Sequence, residues 1–235
     1  MPDLTLASAV HAAARQLADA GVSDPLVDAE LLAGHVLGLR RGEVQAVIIR
    51  GDAVEEADAD SLRALVTRRA GREPLQHITG TAPFRHLELA VGPGVFVPRP
   101  ETETVVQYAI DALLGSALPA PIGIDLGTGS GAIALAMATE VPHARVFATE
   151  LSPDAYPWAV RNTAGVDNLT LVNEDLAHAF PELDGTASVV ISNPPYVPDA
   201  AVPRDPEVRL FDPSMALYGG CLLYTSPSPR DQRGS

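Results

Sequence analysis

The sequence predicts an α/β protein in which a small helical bundle and a β-hairpin connector precede an open parallel sheet. Three observations support this prediction. Apolar residues recur at helical spacing in residues 1–72, Gly and Pro are frequent in residues 73–103, and strand-like and helix-like segments alternate in residues 104–220. Such alternation is typical of a parallel sheet with helices on its faces. We take these three ranges as the expected domains.

Four helices are expected in residues 1–72, because apolar residues recur there every three or four positions. Ser23 can cap the second helix, with Pro25 in its first turn. The residues expected to face inward are Leu6, Val10, Ala13 and Leu17, then Leu26, Ala29, Leu32, Ala33 and Val36, and two further faces within 44–49 and 62–66. The bundle carries no chemistry of its own, so we interpret it as a docking or packing module.

A hairpin-bearing connector is expected next, since "HLELAV" alternates as a half-buried strand does. Strands and helices then follow in turn. The expected elements are helix 101–114, strand 122–126, helix 132–139, strand 145–149, helix 153–163, strand 169–172 and strand 187–191. Pro157 lies inside the third of these helices, which predicts a late helix start or a kink.

Composition and charge exclude several classes of function. The chain has 235 residues, 46% of them hydrophobic, and no apolar stretch reaches about 18 residues. The N-terminus also lacks a signal-peptide pattern, so we expect a soluble cytoplasmic protein with no membrane partner. A single cysteine, Cys221, excludes a disulfide framework and a multi-cysteine metal site, and we expect no metal.

The net charge of −14 at pH 7 makes nucleic acid an unexpected partner. Proteins that bind nucleic acid usually present a basic face to the phosphates. The basic clusters here are only the pairs Arg40-Arg41 and Arg68-Arg69. We expect both pairs to be solvated helix ends.

The stretch "IDLGTGSGAIALAMA" predicts a buried strand, a glycine turn and a helix. Gly127, Gly129 and Gly131 leave bare backbone at the start of the helix, where a ligand can approach closely. Their G-x-G-x-G spacing departs from the G-x-G-x-x-G of dinucleotide enzymes. Taken alone, a glycine turn between a strand and a helix can also be purely structural.

Acidic residues mark the ends of neighbouring strands. Glu150 ends the strand after the glycine turn, where a carboxylate can accept both ribose hydroxyls of a nucleoside. Asp175 follows the next strand, at a place that borders an adenine pocket. A lone acid at a strand end is usually just solvated. Together with Asp125 and the glycines, however, these acids lie at the carboxyl ends of three strands, so a nucleoside cofactor site is predicted.

The tetrapeptide Asn193, Pro194, Pro195 and Tyr196 follows the fourth strand, at the same edge of the sheet. An amide or exocyclic amine needs acceptors for its hydrogens before its nitrogen can attack an electrophile. Asn193 offers a side-chain carbonyl and Pro194 a backbone carbonyl, while Tyr196 can stack on a planar group. This set is typical of methyl transfer from a sulfonium to a planar NH2 group. The simpler alternative is a rigid turn with a packed tyrosine.

The order of these segments resembles a known family. "GREPLQHITG", "FVPRPETE", "DLGTGSG" and "NPPY" occur in the order found in the PrmC/HemK family, the methyltransferases that modify the glutamine N5 of peptide-chain release factors. The likeness extends from about Leu4 to Gly220. It implies a Rossmann-like class I methyltransferase sheet, S-adenosyl-L-methionine as the cofactor and release factors as the protein substrate.

The resemblance also implies roles for individual residues. The residues expected to bind the cofactor are Asp125, Gly127, Thr128, Gly129, Ser130, Gly131, Glu150, Asp175 and Asn193. The substrate glutamine would be held by Asn193, Pro194, Pro195 and Tyr196, of which Asn193, Pro194 and Tyr196 form the expected catalytic set. The departures from the family pattern are His77 and Phe96 in place of Tyr and Leu, Glu150 in place of Asp, and Leu176 where some members have an aromatic residue.

Two other functions remain open from the sequence. "NPPY" alone is shared with methyltransferases of DNA and RNA amines, but these would call for a basic groove or an added recognition domain. Residues 1–80 carry eight Arg against twelve Asp and Glu. A non-catalytic protein that binds S-adenosylmethionine, or an interaction module, would leave the tetrapeptide without a role.

The resemblance stops near Gly220. The remaining "CLLYTSPSPRDQRGS" has no apolar periodicity beyond Leu223 and resembles translated adapter sequence. We therefore expect a truncated chain with an unstructured, foreign tail over residues 221–235 and an incomplete sheet. The strand that carries "NPPY" would then form an apolar edge that promotes aggregation.

Overall fold

The computed structural model describes residues 4–198 and 200–219. The helices are α1 (Leu6–Asp19), α2 (Pro25–Leu37), α3 (Arg41–Arg50), α4 (Glu56–Ala70), α5 (Leu75–Thr79), α6 (Pro100–Leu114), α7 (Ala132–Glu140), α8 (Tyr156–Thr163), α9 (Pro206–Phe211) and α10 (Ser214–Leu217), with a short 3-10 helix at Pro181–Leu183. The strands are β1 (Thr81–Phe84), β2 (Leu87–Ala90), β3 (Ile122–Leu126), β4 (Arg145–Thr149), β5 (Leu169–Val172) and β6 (Val189–Ser192). None of the helices in these ranges is long and apolar enough to cross a membrane.

The chain forms two compact units. Within the described residues, the first comprises residues 4–80 together with Asp205–Phe211, and the second comprises Thr81–Arg204 and residues 212–219. The first unit extends past the expected boundary at residue 72 because α5 packs against α2 and α4. The side chain of Ile78 on α5 belongs to the same apolar core as the longer helices.

Helices α1 to α5 of the first unit surround a core of aliphatic side chains. The four residues expected to face inward on α1 are all buried, and α1 starts where the Thr5 side chain accepts a hydrogen bond from the Ser8 N–H. Three details differ from expectation. Leu26, expected to face inward on α2, is 44% exposed. Asp24, rather than Ser23, precedes α2 and makes no side-chain cap. Ile49 is 85% exposed, because it lies five residues and about 140° around the helix from the buried Val44.

The expectation that both arginine pairs are solvated is wrong for Arg69. Its guanidinium is buried in the first unit and lies 2.7 Å from an Asp28 carboxylate oxygen and 3.0 Å from a Glu207 oxygen. Arg72 binds the second Glu207 oxygen at 2.6 Å. These ion pairs fix α9 against the end of α4 and compensate the buried charges.

The second unit contains the hairpin and the sheet. Strands β1 and β2 form an antiparallel pair, as the alternation in the connector predicts. The other four strands form a parallel sheet in the order β5-β4-β3-β6. The methionine and alanine side chains of α7, the apolar face of α6 and the β4 residues Val146 and Ala148 contribute to one core. The predicted parallel sheet is therefore confirmed.

Two boundaries in this sheet have direct physical causes. Helix α8 starts late, at Tyr156, so that Pro157 falls in its first turn, where its missing N–H costs nothing. Strand β6 pairs only with β3 and lies at the edge of the sheet in the described part of the chain. The predicted foreign tail, residues 221–235, lies outside the described residues.

Candidate active site

A cavity of about 250 Å³ opens at the carboxyl edge of the parallel sheet, within the second unit. It lies where β3, β4, β5 and β6 end, which is the usual ligand position in open α/β sheets. Its wall includes most of the residues predicted for cofactor and substrate, namely Gly127, Thr128, Gly129, Ser130, Glu150, Asp175, Asn193, Pro194, Pro195 and Tyr196. Two separately predicted sets of residues thus share one cavity. Asp125 and Gly131 are not on its wall.

The glycine turn joins β3 to α7 with three left-handed residues. The φ angles of Gly127, Gly129 and Gly131 are +74°, +60° and +84°, a region that side chains rarely adopt. A Cβ atom at Gly127 or Gly129 would meet no atom within 4 Å, so the backbone there is open to a ligand. At Gly131 a Cβ would lie 3.2 Å from the Thr163 side chain. Gly131 therefore serves the packing of α7 against α8.

Asp125 supports the glycine turn from behind the cavity wall. One carboxylate oxygen accepts hydrogen bonds from the Thr128 hydroxyl at 2.5 Å and the Ala134 N–H at 3.1 Å. The other oxygen, Oδ1, is buried without a partner in the described structure. Burial raises the pKa of Asp125 to about 7, while the hydrogen bond from Thr128 lowers it. The residue holds the turn in shape, and its unpaired oxygen makes ionisation costly.

Glu150 connects the glycine turn to the end of β4. Its two oxygens accept hydrogen bonds from the N–H groups of Gly129 and Ser152, each at 2.7 Å. Its backbone carbonyl accepts a bond from the Asn173 amide at 2.6 Å. Glu150 as a whole is 9% exposed, and it lines the cavity. It is therefore held rigidly at the position where a nucleoside ribose would lie.

The end of β5 supplies an acidic rim. Glu174 and Asp175 line the cavity, and the Asp175 carboxylate accepts a hydrogen bond from the Ala177 N–H at 2.9 Å. The Thr149 hydroxyl donates to the Glu174 carbonyl and orders this turn. Leu176 also lines the cavity and is half-exposed. An acidic rim beside an apolar side chain suits a cationic nucleoside with a flat base.

The tetrapeptide follows β6, beside the glycine turn. Ser192 is directly opposite Leu126, so Asn193 and Gly127 leave neighbouring strand ends. The Ser192 hydroxyl donates to the Leu126 carbonyl at 2.7 Å and ties the two ends together. Tyr196 is 65% exposed at the mouth of the cavity. A ring in that position can stack on a planar group that enters from solvent.

Other residues of the wall were not predicted individually. From the connector they are Phe84, Gly94, Phe96, Pro98, Arg99 and Thr102, and from the end of the described chain they are Pro213, Met215, Ala216 and Leu217. The "PRPETE" signature places the connector near the site but does not say which side chains face it. Asn162 of α8 locks the connector in place, since it bonds both Ala90 backbone groups and the Ser130 carbonyl.

Comparison with known proteins follows the same division of the chain. Residues 8–80 match the PrmC N-terminal domain, and residues 103–216 match the methyltransferase small domain. The release factor glutamine methyltransferase of Streptomyces coelicolor is 51% identical over 92% of this chain and 74% of its own. The chain belongs to this family. The same-named proteins of Bifidobacterium longum and Mycolicibacterium smegmatis are 43% and 47% identical over 91% and 92% of this chain, and over 76% and 74% of their own.

Membership in the family establishes the chemistry of the cavity in general terms. The chain is a methyltransferase with S-adenosyl-L-methionine as its cofactor. The open glycine backbone, the fixed Glu150 carboxylate and the acidic rim fit a cationic nucleoside cofactor. Among solved structures, an S-adenosylmethionine-dependent methyltransferase from Agrobacterium tumefaciens is 20% identical, with a TM-score of 0.40 over 49% of this chain and 39% of that chain.

Among residues 4–198 and 200–219, no group of three or more His, Cys, Asp or Glu side chains could hold a metal ion. The carboxylates that line the cavity come from Glu150, Glu174 and Asp175. Their arrangement suits a bound nucleoside, as described above.

Proposed function

We propose that the protein transfers a methyl group from S-adenosylmethionine to the side-chain amide nitrogen, N5, of a glutamine in peptide-chain release factors, in the cytoplasm. The observation that carries this proposal is the single cavity that the glycine turn and the tetrapeptide share. The names of the three relatives supply the substrate. We assign docking of the release factor to the helical unit.

The residues at the cavity would act by alignment. S-adenosylmethionine supplies an electrophilic methyl group on a sulfonium. Asn193 Oδ1 and the Pro194 carbonyl accept the two amide hydrogens of the substrate, which orients the nitrogen lone pair, and Tyr196 covers the amide plane. The N–C bond forms as the S–C bond breaks, S-adenosylhomocysteine leaves, and one amide proton passes to water. A strong general base is not needed, because that proton becomes acidic once the nitrogen is methylated.

The charge of the chain favours a protein substrate over nucleic acid. The chain carries 30 Asp and Glu against 16 Arg, whereas binding to DNA or RNA requires a cluster of cations facing the phosphates. Among the residues that line the cavity, Arg99 is the one cationic side chain, and it is paired with Asp212. A glutamine in an exposed loop of a protein needs no such cluster.

A methyl-transfer assay tests the proposal. The protein is incubated with S-adenosylmethionine labelled at the methyl group and, in separate reactions, with release factor, tRNA and DNA. We expect label in the release factor, on one glutamine located by mass spectrometry. A release factor whose target glutamine is changed to asparagine is the control. Label in nucleic acid but not in release factor would assign the protein to the amine methyltransferases of DNA or RNA.

Substitution of Glu150 tests the cofactor site separately. In Glu150→Gln one carboxylate oxygen is replaced by an NH2 group, which is a donor and so cannot accept the hydrogen bond from the Gly129 or Ser152 N–H that it faces. The same replacement removes one acceptor for the ribose hydroxyls. We expect cofactor affinity, measured by calorimetry, to fall roughly 10- to 100-fold, since hydrogen bonds to charged groups contribute about 1.5–3 kcal/mol. Glu150→Asp keeps the charge and should lose much less. Equal affinity in Glu150→Gln and the wild type would remove Glu150 from the cofactor site.

A further inference from the structure

The segment from Asp212 to Gly219, "DPSMALYG", forms one wall of the cavity, and we call it the wall segment. Pro213, Met215, Ala216 and Leu217 from this segment line the same cavity as the glycine turn. The segment contains only the one-turn helix α10, so its own backbone hydrogen bonds cannot define its position. Its location must depend on contacts at its two ends.

The far end of the wall segment is bound to the chain that follows the tetrapeptide. Val197 donates its N–H to the Leu217 carbonyl at 2.8 Å, and its carbonyl accepts from the Gly219 N–H at 3.0 Å. Gly219 also approaches the Pro195 carbonyl so closely that a Cβ atom would collide with it. The wall segment therefore lies directly against the backbone of the residues proposed to hold the substrate amide.

The near end is held by an ion pair with the connector. Arg99 Nη2 lies 2.9 Å from Asp212 Oδ2, and the Asp212 side chain is 1% exposed. The Arg99 guanidinium also lies over the Phe96 ring, 5.0 Å from its centroid. Arg99 and Phe96 both line the cavity. The ion pair thus attaches the connector to the start of the wall segment at the edge of the site.

We propose that Arg99 and Asp212 are positioning residues that hold the wall segment against Pro195 and Val197, and so fix the carbonyl groups that orient the substrate amide. This inference rests on the proposed function, because it assigns the ion pair a part in the same reaction. The carboxylate acts through the backbone of residues 213–219 and need not touch the substrate. A buried carboxylate with a charged partner suits this task, because moving the segment away from Arg99 would leave the carboxylate charge buried without its cation.

The two partners predict unequal effects when they are removed. Arg99→Gln leaves a buried carboxylate without its cation, which costs stability as well as position. Asp212→Asn leaves the cation unpaired, but the Arg99 side chain is 41% exposed and water can solvate it. Asp212→Asn is therefore the cleaner variant for activity, and Asp212→Glu keeps the charge as a conservative rescue.

The test combines kinetics with amide hydrogen exchange. In Asp212→Asn we expect kcat for methylation of release factor to fall about 10- to 100-fold, because a small misplacement of the reacting groups lowers the rate by this much. Cofactor affinity should stay within about threefold of the wild type. Asp212→Glu should recover most of kcat. Exchange measured by mass spectrometry should become faster in the peptides that contain Val197 and Gly219, whose N–H bonds join the two segments.

A matched ion pair supplies the control. Arg85 binds both oxygens of Glu140, at 2.6 and 2.7 Å, and joins the hairpin to α7, but neither residue lines the cavity. Glu140→Gln should leave kcat and the exchange at Val197 and Gly219 unchanged. Unchanged exchange in Asp212→Asn, or equal kcat losses in Asp212→Asn and Glu140→Gln, would overturn the positioning role. A wild-type protein that methylates no release factor would instead defeat the proposed function, while the exchange result would still report on the ion pair.

Discussion

Asn193→Ala should lower kcat for methylation of release factor about 100- to 1,000-fold, the loss seen when one preorganised hydrogen-bonding group is removed from an active site. Asn193 follows β6 and lines the cavity beside Pro194. Its side-chain carbonyl is the acceptor that we assign to one hydrogen of the substrate amide. The side chain is exposed rather than part of a core, so its truncation should leave the fold intact.

Separate measurement of kcat, KM and cofactor affinity distinguishes this role from simple binding. An acceptor that orients the nitrogen in the transition state should change kcat more than KM. Asn193→Asp keeps an acceptor at the same place and should retain more activity than Asn193→Ala. Ser192→Ala, one residue earlier, removes a hydroxyl that bonds the Leu126 carbonyl and does not line the cavity. A kcat for Asn193→Ala within about threefold of the wild type would remove Asn193 from the catalytic set.

Local patterns in the sequence were enough to predict most of the fold and part of the site. The apolar spacing of α1 and the alternation of strands and helices depend on neighbours only a few residues apart. The glycine turn and the tetrapeptide were placed together because parallel strands present their carboxyl ends at one edge of a sheet. The pairing of Leu126 with Ser192 in the structure confirms that placement.

The features that were not predicted depend on contacts between distant residues. The sequence predicts that Arg69 lies at the solvated end of a helix. In the structure its side chain is buried and paired with Asp28 and Glu207, which are 41 and 138 residues away in the chain. The ion pair of Arg99 with Asp212 spans 113 residues. A sequence shows such residues only as isolated charges, because the partner is chosen by the packing of whole elements. For the same reason, the sequence does not show which connector side chains face the cavity.

Asp125 should make the free energy of unfolding fall as the pH rises from about 4 to about 7. Burial raises the pKa of this carboxyl from an ordinary value of 3.8 to about 7 in the folded protein. Between those values the folded protein holds a proton that the unfolded chain has released, so each step up in pH favours the unfolded chain. The contribution is fully present below about pH 4 and is lost as the pH passes about 7.

Comparison of the wild type with Asp125→Asn isolates this effect from other titrating groups. Asparagine keeps an oxygen that can accept from Thr128 and Ala134 but cannot ionise. The difference in stability, wild type minus variant, should decline with pH across this window with a slope approaching about 1.4 kcal/mol per unit, as measured by chemical denaturation in a pH series. Thr128→Val removes the hydrogen bond that lowers the pKa of Asp125, so it should move the upper end of the window to higher pH. Parallel curves for the wild type and Asp125→Asn would mean that Asp125 is ionised in the folded protein throughout the window. In that case the Asp125 carboxylate would carry a negative charge behind the glycine turn throughout this pH window.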